Sequence, residues 1–214
     1  MKLVVDGLLA DIARLGPAKT PALRDLRRGW SAMLKGTPAA EVQALAEALH
    51  PRLAQEHRWL AHELIRHHRP AFAAFGDGAA GRMVGGLASW HAVDAFGCLL
   101  ASPAWAAGRI ADGTVQTWSL SEDRWRRRLA LVATVKLGKG GAERTLRICR
   151  TLAADRDDMV FKAMSWALRE FSKHDRPAVE AFMAGQGEAL AARVRREVAT
   201  KLRTGVKSGR PKRA

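Results

Sequence analysis

The sequence DMVFKAMSWALREFSK, at residues 158–173, decides the fold class, because its apolar residues recur with the period of an α-helix. At about 100° per residue, the large apolar residues share one side of this helix: Phe161, Met164, Leu168 and Phe171. Trp166 falls on the opposite side, on a face shared with three cations: Lys162, Arg169 and Lys173. A tryptophan outside the apolar stripe indicates a binding surface, because its exposure costs hydrophobic free energy. Burial of Trp166 against a neighbouring helix is the alternative.

The same helical period extends over almost the whole chain, and no segment predicts a convincing β-strand. Thr20-Pro21 and Thr37-Pro38 each supply an N-cap followed by proline at the first helical position. The pattern predicts a first helix ending near residue 16 and then helices at about 20–34, 37–49, 51–68, 86–100, 105–110, 121–137, 143–154, 158–173, 177–183 and 189–203. Short helices joined by short turns are typical of paired-helix solenoids. A compact helical bundle is the alternative, and a glycine-rich break at residues 75–81 divides the chain into parts.

Composition and charge favour a globular protein with a polyanionic partner. The chain has 214 residues, of which 48% are hydrophobic, enough for a sizeable core. Its formal net charge is +15, and residues 193–214 carry +8 of it, with nine bases and one acid. Nucleic acid is favoured over a membrane, because no stretch approaches ~20 uninterrupted apolar residues. A basic surface that serves only solubility is the alternative.

The cysteines and the N-terminus indicate a reducing compartment. Cys98 and Cys149 are the only cysteines of the sequence, and the first residues lack the pattern of a signal peptide. Both thiols lie in apolar helical patterns, which predicts packing rather than reactivity. We therefore expect a cytoplasmic protein.

The segment SWHAVD, at residues 89–94, contains the most informative carboxylate. Trp90 and Asp94 are one helical turn apart and share a face with Gly97, whose small size leaves room beside the carboxylate. Asp94 is therefore a candidate functional group. A structural ion pair between Asp94 and an arginine is the alternative.

The run WRRR, at residues 125–128, contains an arginine in an unusual place. Arg126 and Arg127 project towards the flanks of the predicted helix, whereas Arg128 falls within the apolar stripe of Trp125, Leu129, Val132 and Val135. An inward-facing arginine has to meet an anion. That anion is either a phosphate of a ligand or a carboxylate of the chain, Asp94 among them.

Two apparent motifs are set aside. His62-Glu63 opens a zinc-protease string, but Arg66 occupies the position of the second histidine, so we interpret this segment as a histidine-rich, solvated helix. The string Gly76-x-Gly78-x-x-Gly81 lacks the preceding strand that a dinucleotide site requires.

Segments 89–94, 125–135 and 162–171 together resemble the DNA alkylation repair glycosylases of the AlkD type, which are solenoids of HEAT-like helical repeats. The resemblance rests on a tryptophan followed four residues later by aspartate, on Trp-x-x-Arg, and on Lys-Ala-x-x-Trp-x-Leu-Arg-Glu. It extends from Thr20-Pro21-Ala22-Leu23-Arg24 to about Arg203, and so covers most of the chain.

The resemblance implies an all-α solenoid at residues 1–204 with a concave, basic DNA-binding face, followed by a disordered basic tail at 205–214. It implies a DNA glycosylase, a monomer without metal or organic cofactor, that hydrolyses the N-glycosidic bond of cationic N3- or N7-alkylated purines in duplex DNA without flipping the base. Asp94 would stabilise the oxocarbenium-like sugar and position water, while Trp90 and Trp166 would pack against the lesion nucleotide. Arg128 would hold a phosphate. Further DNA contacts are expected from four cations: Arg127, Lys162, Arg169 and Lys173.

Two positions depart from the family pattern. His91 stands where the family often has an acidic residue, and Asp158-Met159 stands where an aromatic pair can precede the Lys-Ala-x-x-Trp segment. We expect these positions to affect the range of lesions that is accepted and the affinity for DNA. Residues 208–213, SGRPKR, resemble a minimal AT-hook, with a solvated tail as the alternative.

The same residues allow two other functions. A noncatalytic solenoid that binds damaged or distorted DNA would use the basic face without the Asp94 chemistry. A helical-repeat scaffold for acidic proteins would bind without any preference for DNA. The DNA-directed functions both predict association with a nucleoid of bacterial type.

Overall fold

The computed structural model of the chain describes residues 2–16 and 20–207, and within these ranges it contains helices and no β-strand. This confirms the all-α fold class. The α-helices are α1 Lys2–Leu15, α2 Thr20–Met33, α3 Ala39–Leu49, α4 Trp59–His67, α5 Arg69–Ala73, α6 Asp77–Val84, α7 Trp90–Phe96, α8 Ser102–Ala106, α9 Asp112–Ser119, α10 Arg124–Val132, α11 Ala142–Thr151, α12 Asp158–Phe171, α13 Arg176–Gln186 and α14 Ala192–Thr204.

The chain divides between Ala104 and Trp105 into two compact units. In the second unit, α10 packs on α12 and α12 packs on α14, while α9 packs on α11 and α11 packs on α13. The pairs α9/α10, α11/α12 and α13/α14 therefore follow one another with their even-numbered helices in one layer and their odd-numbered helices in the other. Each pair covers the apolar face of the next, which is the packing of helical-repeat solenoids and confirms the predicted fold type.

The first unit has the same two-layer order. Helices α2, α4 and α7 follow one another in one layer, and α1, α3 and α6 follow one another in the other. The five-residue helix α5 packs against both α3 and α4. Because α7 follows α4 in this layer, the start of α7 lies beside α4. This position determines where the candidate site forms.

Each unit contains a fully buried tryptophan whose indole donates to an aspartate of the chain. Trp30 Nε1 lies 3.0 Å from Asp11 Oδ2, and Trp105 Nε1 lies 2.7 Å from Asp112 Oδ1. These hydrogen bonds lower the pKa of both carboxyl groups. The polar edge of each buried ring is thereby satisfied, so the indole adds its full apolar area to the core.

Aspartate caps begin the helices that carry the candidate residues of the second unit. Asp123 Oδ1 accepts from Trp125 N at 2.9 Å at the start of α10, and Asp157 Oδ1 accepts from Met159 N at 2.8 Å at the start of α12. A side-chain acceptor at this position satisfies a backbone N–H group that the first helical turn leaves without a partner. The cap determines where each helix begins and so which side chains share a face.

The predicted helix at 51–68 is wrong over its first half. Two 3₁₀ turns, His50–Arg52 and Gln55–His57, precede α4. They are separated by Leu53 and Ala54, and Leu53 is extended at φ −88° and ψ 143°. Arg58 stabilises this irregular path by donating from Nε to the Leu53 carbonyl oxygen at 3.3 Å. The start signal at Thr37 is also shifted, because Pro38 is the N-cap residue of α3 and no side chain caps that helix.

The glycine-rich break at 75–81 is likewise wrong, because residues from Asp77 onwards form α6. Each glycine in a helix costs about 1 kcal/mol relative to alanine, but α6 buries four apolar side chains and packs on α3: Ala79, Ala80, Met83 and Val84. Tertiary packing therefore offsets the weak propensity. The sequence interpretation also omitted α5 and α9, which are short and have few large apolar residues.

A π-helical turn, Gly97–Ala101, follows α7 directly and leads into α8. The prediction placed one regular helix at 86–100. A π turn is wider than an α turn and is frequent at functional sites, and this one lies at the end of the helix that begins with Trp90.

Several other predictions fall within the described ranges. No helix there is long and apolar enough to cross a membrane. Cys149 is buried, and its burial raises the pKa of the thiol to about 12, which confirms its predicted packing role. The AT-hook-like segment at 208–213 lies outside the described residues, and the division at residues 204 and 205 stays a prediction.

Candidate functional site

Trp90 and Asp94 line one cavity of the first unit. Its volume is about 590 Å³, and its walls come from α2, from α4 and the segment leading into it, and from α7 with the π turn. The lining residues are Thr20, Leu23, Arg24, Glu56, His57, Trp59, Glu63, Trp90, His91, Asp94, Ala95, Cys98 and Leu99. This volume lies in the range of small-molecule sites, which is about 300–1,000 Å³.

The start of α7 is fixed by hydrogen bonds on both sides of Ser89. Ser89 Oγ accepts from Ala92 N at 3.2 Å, so Ser89 is the N-cap residue and Trp90 is the first residue of the helix. Before it, Gln55 Nε2 donates to the Gly86 carbonyl oxygen at 3.0 Å, and Ala88 N donates to Gln55 Oε1 at 3.0 Å. Arg58 Nη1 also donates to the Gly86 carbonyl oxygen. Gln55 and Arg58 therefore hold in place the loop that precedes Trp90 and Asp94.

Trp90 has the exposure expected of a binding residue. It is 47% exposed although it is a large apolar side chain, and its ring stacks on the His91 ring with centroids 3.5 Å apart. Asp94 is half-buried one turn further on. The structure thus places Trp90 and Asp94, which were predicted to share a helix face, on one wall of the cavity. Gly97 follows this pair and is buried.

The cavity contains groups that the sequence interpretation missed. Trp59, at the first position of α4, and Glu56, in the 3₁₀ turn before it, both line the cavity. Glu63 lines it too, but its Oε2 accepts from Arg27 Nε at 2.8 Å. Arg27 is 8% exposed, so this pair is part of the interface between α2 and α4. The predicted helix at 51–68 gave no sign of these groups, because their position at the cavity depends on the 3₁₀ turns that precede α4.

The first unit also contains a buried pair of histidines. His50 and His62 have ring centroids 5.1 Å apart, and His62 meets the Phe96 ring edge-on at 5.3 Å. His62 is fully buried, so the interpretation of this segment as a histidine-rich, solvated helix is wrong at His62, whereas Arg66 and His67 are exposed as it predicted. Burial, together with the nearby Arg58, lowers the pKa of His50 to about 4, and burial lowers the pKa of His62 well below its ordinary value. Both rings are therefore neutral at pH 7.

Arg128 is buried in the second unit, as the apolar stripe predicted. It is 6% exposed, and its Nη1 donates to the Met159 carbonyl oxygen at 2.5 Å. Met159 belongs to the segment that departs from the family pattern, and its backbone rather than its side chain makes this contact.

The arginine run links α10 to the start of α12. Arg127 Nε donates to Asp155 Oδ2 at 2.7 Å, and Arg124 Nη1 lies 3.7 Å from Asp157 Oδ2. Arg127 also donates from Nη1 to the carbonyl oxygens of Ser121 at 3.0 Å and Glu122 at 2.7 Å. These contacts give Arg127 a packing role between successive helical pairs. The prediction that it also binds DNA stays a prediction.

Trp166 is half-buried on α12, and the three cations predicted on its face all have acidic partners. Lys162 pairs with Asp158, and Lys173 Nζ lies 2.5 Å from Glu170 Oε2. Arg169 Nη2 lies 3.8 Å from Glu197 Oε2 on α14, and Ser165 Oγ donates to the same oxygen at 2.6 Å. Burial lowers the pKa of the Arg169 guanidinium. Their contacts with DNA stay predictions, and helical phase gave no sign of the acidic partners.

Within the described ranges, no group of three or more histidine, cysteine, aspartate or glutamate side chains is arranged to hold a metal ion. The buried histidines contact each other and the Phe96 ring.

One comparison with known proteins gave a match and one did not. A family model described as DNA alkylation repair enzyme matches residues 14–202. No curated protein matches the chain. The family match covers most of the 214 residues and confirms the resemblance drawn from segments 89–94, 125–135 and 162–171.

Proposed function

The chain belongs to the DNA alkylation repair enzyme family, and we propose from this premise that it is a DNA glycosylase. Its substrate would be a cationic N3- or N7-alkylated purine in duplex DNA, and the bond hydrolysed would be the N-glycosidic bond. The family establishes a DNA repair enzyme and a DNA substrate. The observation that carries the glycosylase reaction is the placement of exposed Trp90 and half-buried Asp94 one turn apart on the wall of a 590 Å³ cavity.

The chemistry suits a single carboxylate. An alkylated purine carries a positive charge, so it departs with the bonding electron pair as a neutral base and needs little help from a general acid. The deoxyribose carbon becomes positive as the bond breaks, and Asp94 would stabilise that charge electrostatically. Asp94 would also orient the water that adds to this carbon. The π face of Trp90 would pack on the sugar and add a cation–π contribution of about 0.5–2 kcal/mol.

The second unit would bind the DNA duplex. Arg128 would bind a backbone phosphate through its guanidinium group, whose Nη1 also contacts Met159. The half-buried Trp166 would contact the backbone of the lesion nucleotide. A site that acts on the sugar does not need to enclose a flipped base, in contrast to most glycosylases. Bulky adducts would then be substrates too.

Release of 7-methylguanine and 3-methyladenine from alkylated duplex DNA tests the proposal. The native protein should release both bases, and Asp94→Asn should lower the rate by about 100-fold or more, the size typical of one lost electrostatic contact in a transition state. Asp25→Asn is a matched control, because Asp25 is exposed on α2 and pairs with Arg28. Its rate should equal that of the native protein.

Each outcome has a defined meaning. Equal release by the native protein and Asp94→Asn would remove the proposed role of Asp94. Absence of release by either, with tight binding to alkylated duplex retained, would favour the noncatalytic DNA-binding function.

A further inference from the structure

Gln55 links the 3₁₀ turn before α4 to the loop before α7 through both ends of its side-chain amide. Its Nε2 donates to the Gly86 carbonyl oxygen at 3.0 Å, and its Oε1 accepts from Ala88 N at 3.0 Å. The residue between these two backbone groups, Leu87, is buried. Because an amide carries its donor and its acceptor on separate atoms, one side chain fixes two backbone groups of this loop.

The loop leads directly to Trp90 and Asp94. Ala88 is followed by Ser89, whose Oγ accepts from Ala92 N at 3.2 Å and so begins α7. Trp90 is the first residue of that helix, and Asp94 lies one turn further along it. Since a single residue separates Ala88 from Trp90, a shift of Ala88 is transmitted to the start of α7.

Gln55 itself lies outside the cavity. The turn Gln55–His57 packs against α7, and its two later residues, Glu56 and His57, line the cavity while Gln55 does not. Gln55 is half-buried, and both polar atoms of its side chain bind the loop. Any effect of Gln55 on a reaction in the cavity must therefore pass through the loop and the start of α7.

Arg58 shares one of these contacts but has a wider role. Its Nη1 donates to the Gly86 carbonyl oxygen, and its Nε donates to the Leu53 carbonyl oxygen at 3.3 Å. Arg58 is buried, so its removal would disturb the path of the chain before α4 as well as the loop before α7. Gln55 is therefore the residue whose removal acts most directly on the loop.

We infer that Gln55 is a positioning residue for the proposed glycosylase reaction, because its amide determines where Trp90 and Asp94 lie relative to the lesion nucleotide. The inference rests on the proposed function. Electrostatic stabilisation of a transition state depends on preorganised geometry, and a misplacement of about 1 Å can lower a rate on the order of 100-fold. Loss of the amide should therefore lower the rate of bond cleavage more than the affinity for DNA.

Single-turnover release of 7-methylguanine from alkylated duplex DNA separates these two effects. The maximal rate at saturating protein measures bond cleavage, and the protein concentration at half-maximal rate measures DNA affinity. Gln55→Met keeps the length of the side chain and removes both hydrogen bonds. Its maximal rate should fall by about tenfold or more, while the half-saturating concentration stays at the native value. Gln55→Glu keeps the acceptor for Ala88 N, so its rate should be intermediate.

Gln43→Met is the matched control. Gln43 is half-buried in the same unit, its Nε2 donates to the Ala71 carbonyl oxygen at 2.7 Å, and it does not line the cavity. Both methionine variants lose hydrogen bonds to the backbone, so both should lower the midpoint of urea denaturation. Only Gln55→Met should lower the maximal rate of base release, measured where both variants are folded.

Hydrogen exchange tests the loop without catalysis. The amides of residues 86–94 should exchange faster in Gln55→Met than in the native protein, whereas Gln43→Met should leave their exchange unchanged. Gln55→Glu keeps the test valid if Gln55→Met fails to fold, since it retains one of the two hydrogen bonds.

A native maximal rate in Gln55→Met would overturn the inference, as would an equal loss of rate in Gln43→Met or native exchange of residues 86–94 in Gln55→Met. If base release by the native protein still depends on Asp94, the proposed function stands while this inference fails. Absence of release by the native protein would instead overturn the proposed function, and the positioning role with it.

Discussion

Acidification from pH 7 to pH 5 is expected to destabilise the protein through the buried histidine pair. His50 is 2% exposed, and burial beside Arg58 lowers its pKa from 6.5 to about 4. In the unfolded chain His50 regains its ordinary pKa of about 6.5. Between these two values the unfolded chain binds a proton that the folded protein excludes. Stability is therefore complete above pH 6.5 and falls as the pH drops towards 4.

The magnitude follows from the two pKa values. A gap from 6.5 to about 4 corresponds to a total loss of roughly 3 kcal/mol, because each unit is worth about 1.4 kcal/mol. At pH 5 the loss from His50 alone is about 2 kcal/mol. His62 is fully buried and its pKa is also lowered, so it contributes in the same direction.

Urea denaturation at pH 7 and pH 5 measures this loss. The free energy of unfolding of the native protein should fall by about 2 kcal/mol or more between the two values. His50→Gln removes the titrating ring, so its fall should be smaller by about 2 kcal/mol. His174→Asn, at an exposed position of the second unit, should fall as much as the native protein does. If His50→Gln and the native protein lose equal stability, the buried pair is not the cause.

Three further substitutions test other contacts. Arg127→Ala should destabilise the protein by about 1–3 kcal/mol, because Asp155 Oδ2 loses its guanidinium partner. The slope of log affinity for DNA against log salt tests its predicted DNA contact: a lower slope in the variant would support that contact, and an unchanged slope would restrict Arg127 to packing. Arg128→Ala should lower the slope of log affinity for DNA against log salt by the equivalent of about one phosphate contact. It should also lower stability, because the hydrogen bond to the Met159 carbonyl oxygen is lost. An unchanged slope in a folded variant would contradict the phosphate role. Gly86→Ala should cost about 1–3 kcal/mol in thermal or urea unfolding, since its Cβ would lie 2.5 Å from Arg58 Nη1 and 3.2 Å from His50 Cε1; native stability would show that both side chains can move away.

The sequence predicted features that depend on one helix. Helical phase placed Arg128 inside the apolar stripe of α10, where it is buried, and placed Trp90 and Asp94 on one face of α7. The Ser89 cap fixes that face locally, so no distant residue is needed to predict it. The all-α class follows in the same way, because the helical period recurs along the chain.

Features that depend on contacts between helices could not be predicted. Arg127 meets Asp155 and Arg169 meets Glu197, each in the next helical pair, and phase within a single helix carries no information about such partners. His62 has the sequence neighbours of a solvated residue, yet it packs against His50 and Phe96. Trp59 reaches the cavity only because two 3₁₀ turns replace the expected helix.

The π turn at Gly97–Ala101 gives the cavity a way to change during evolution. A π turn accommodates one residue more than an α turn, so deletion of one residue there would restore regular helix and rotate the following side chains by about 100°. Cys98 and Leu99, which line the cavity from this turn, would be exchanged for their neighbours. Trp90 and Asp94 precede the turn and would keep their positions. A single insertion or deletion would thus exchange cavity-lining residues in one step while Trp90 and Asp94 keep their places on α7.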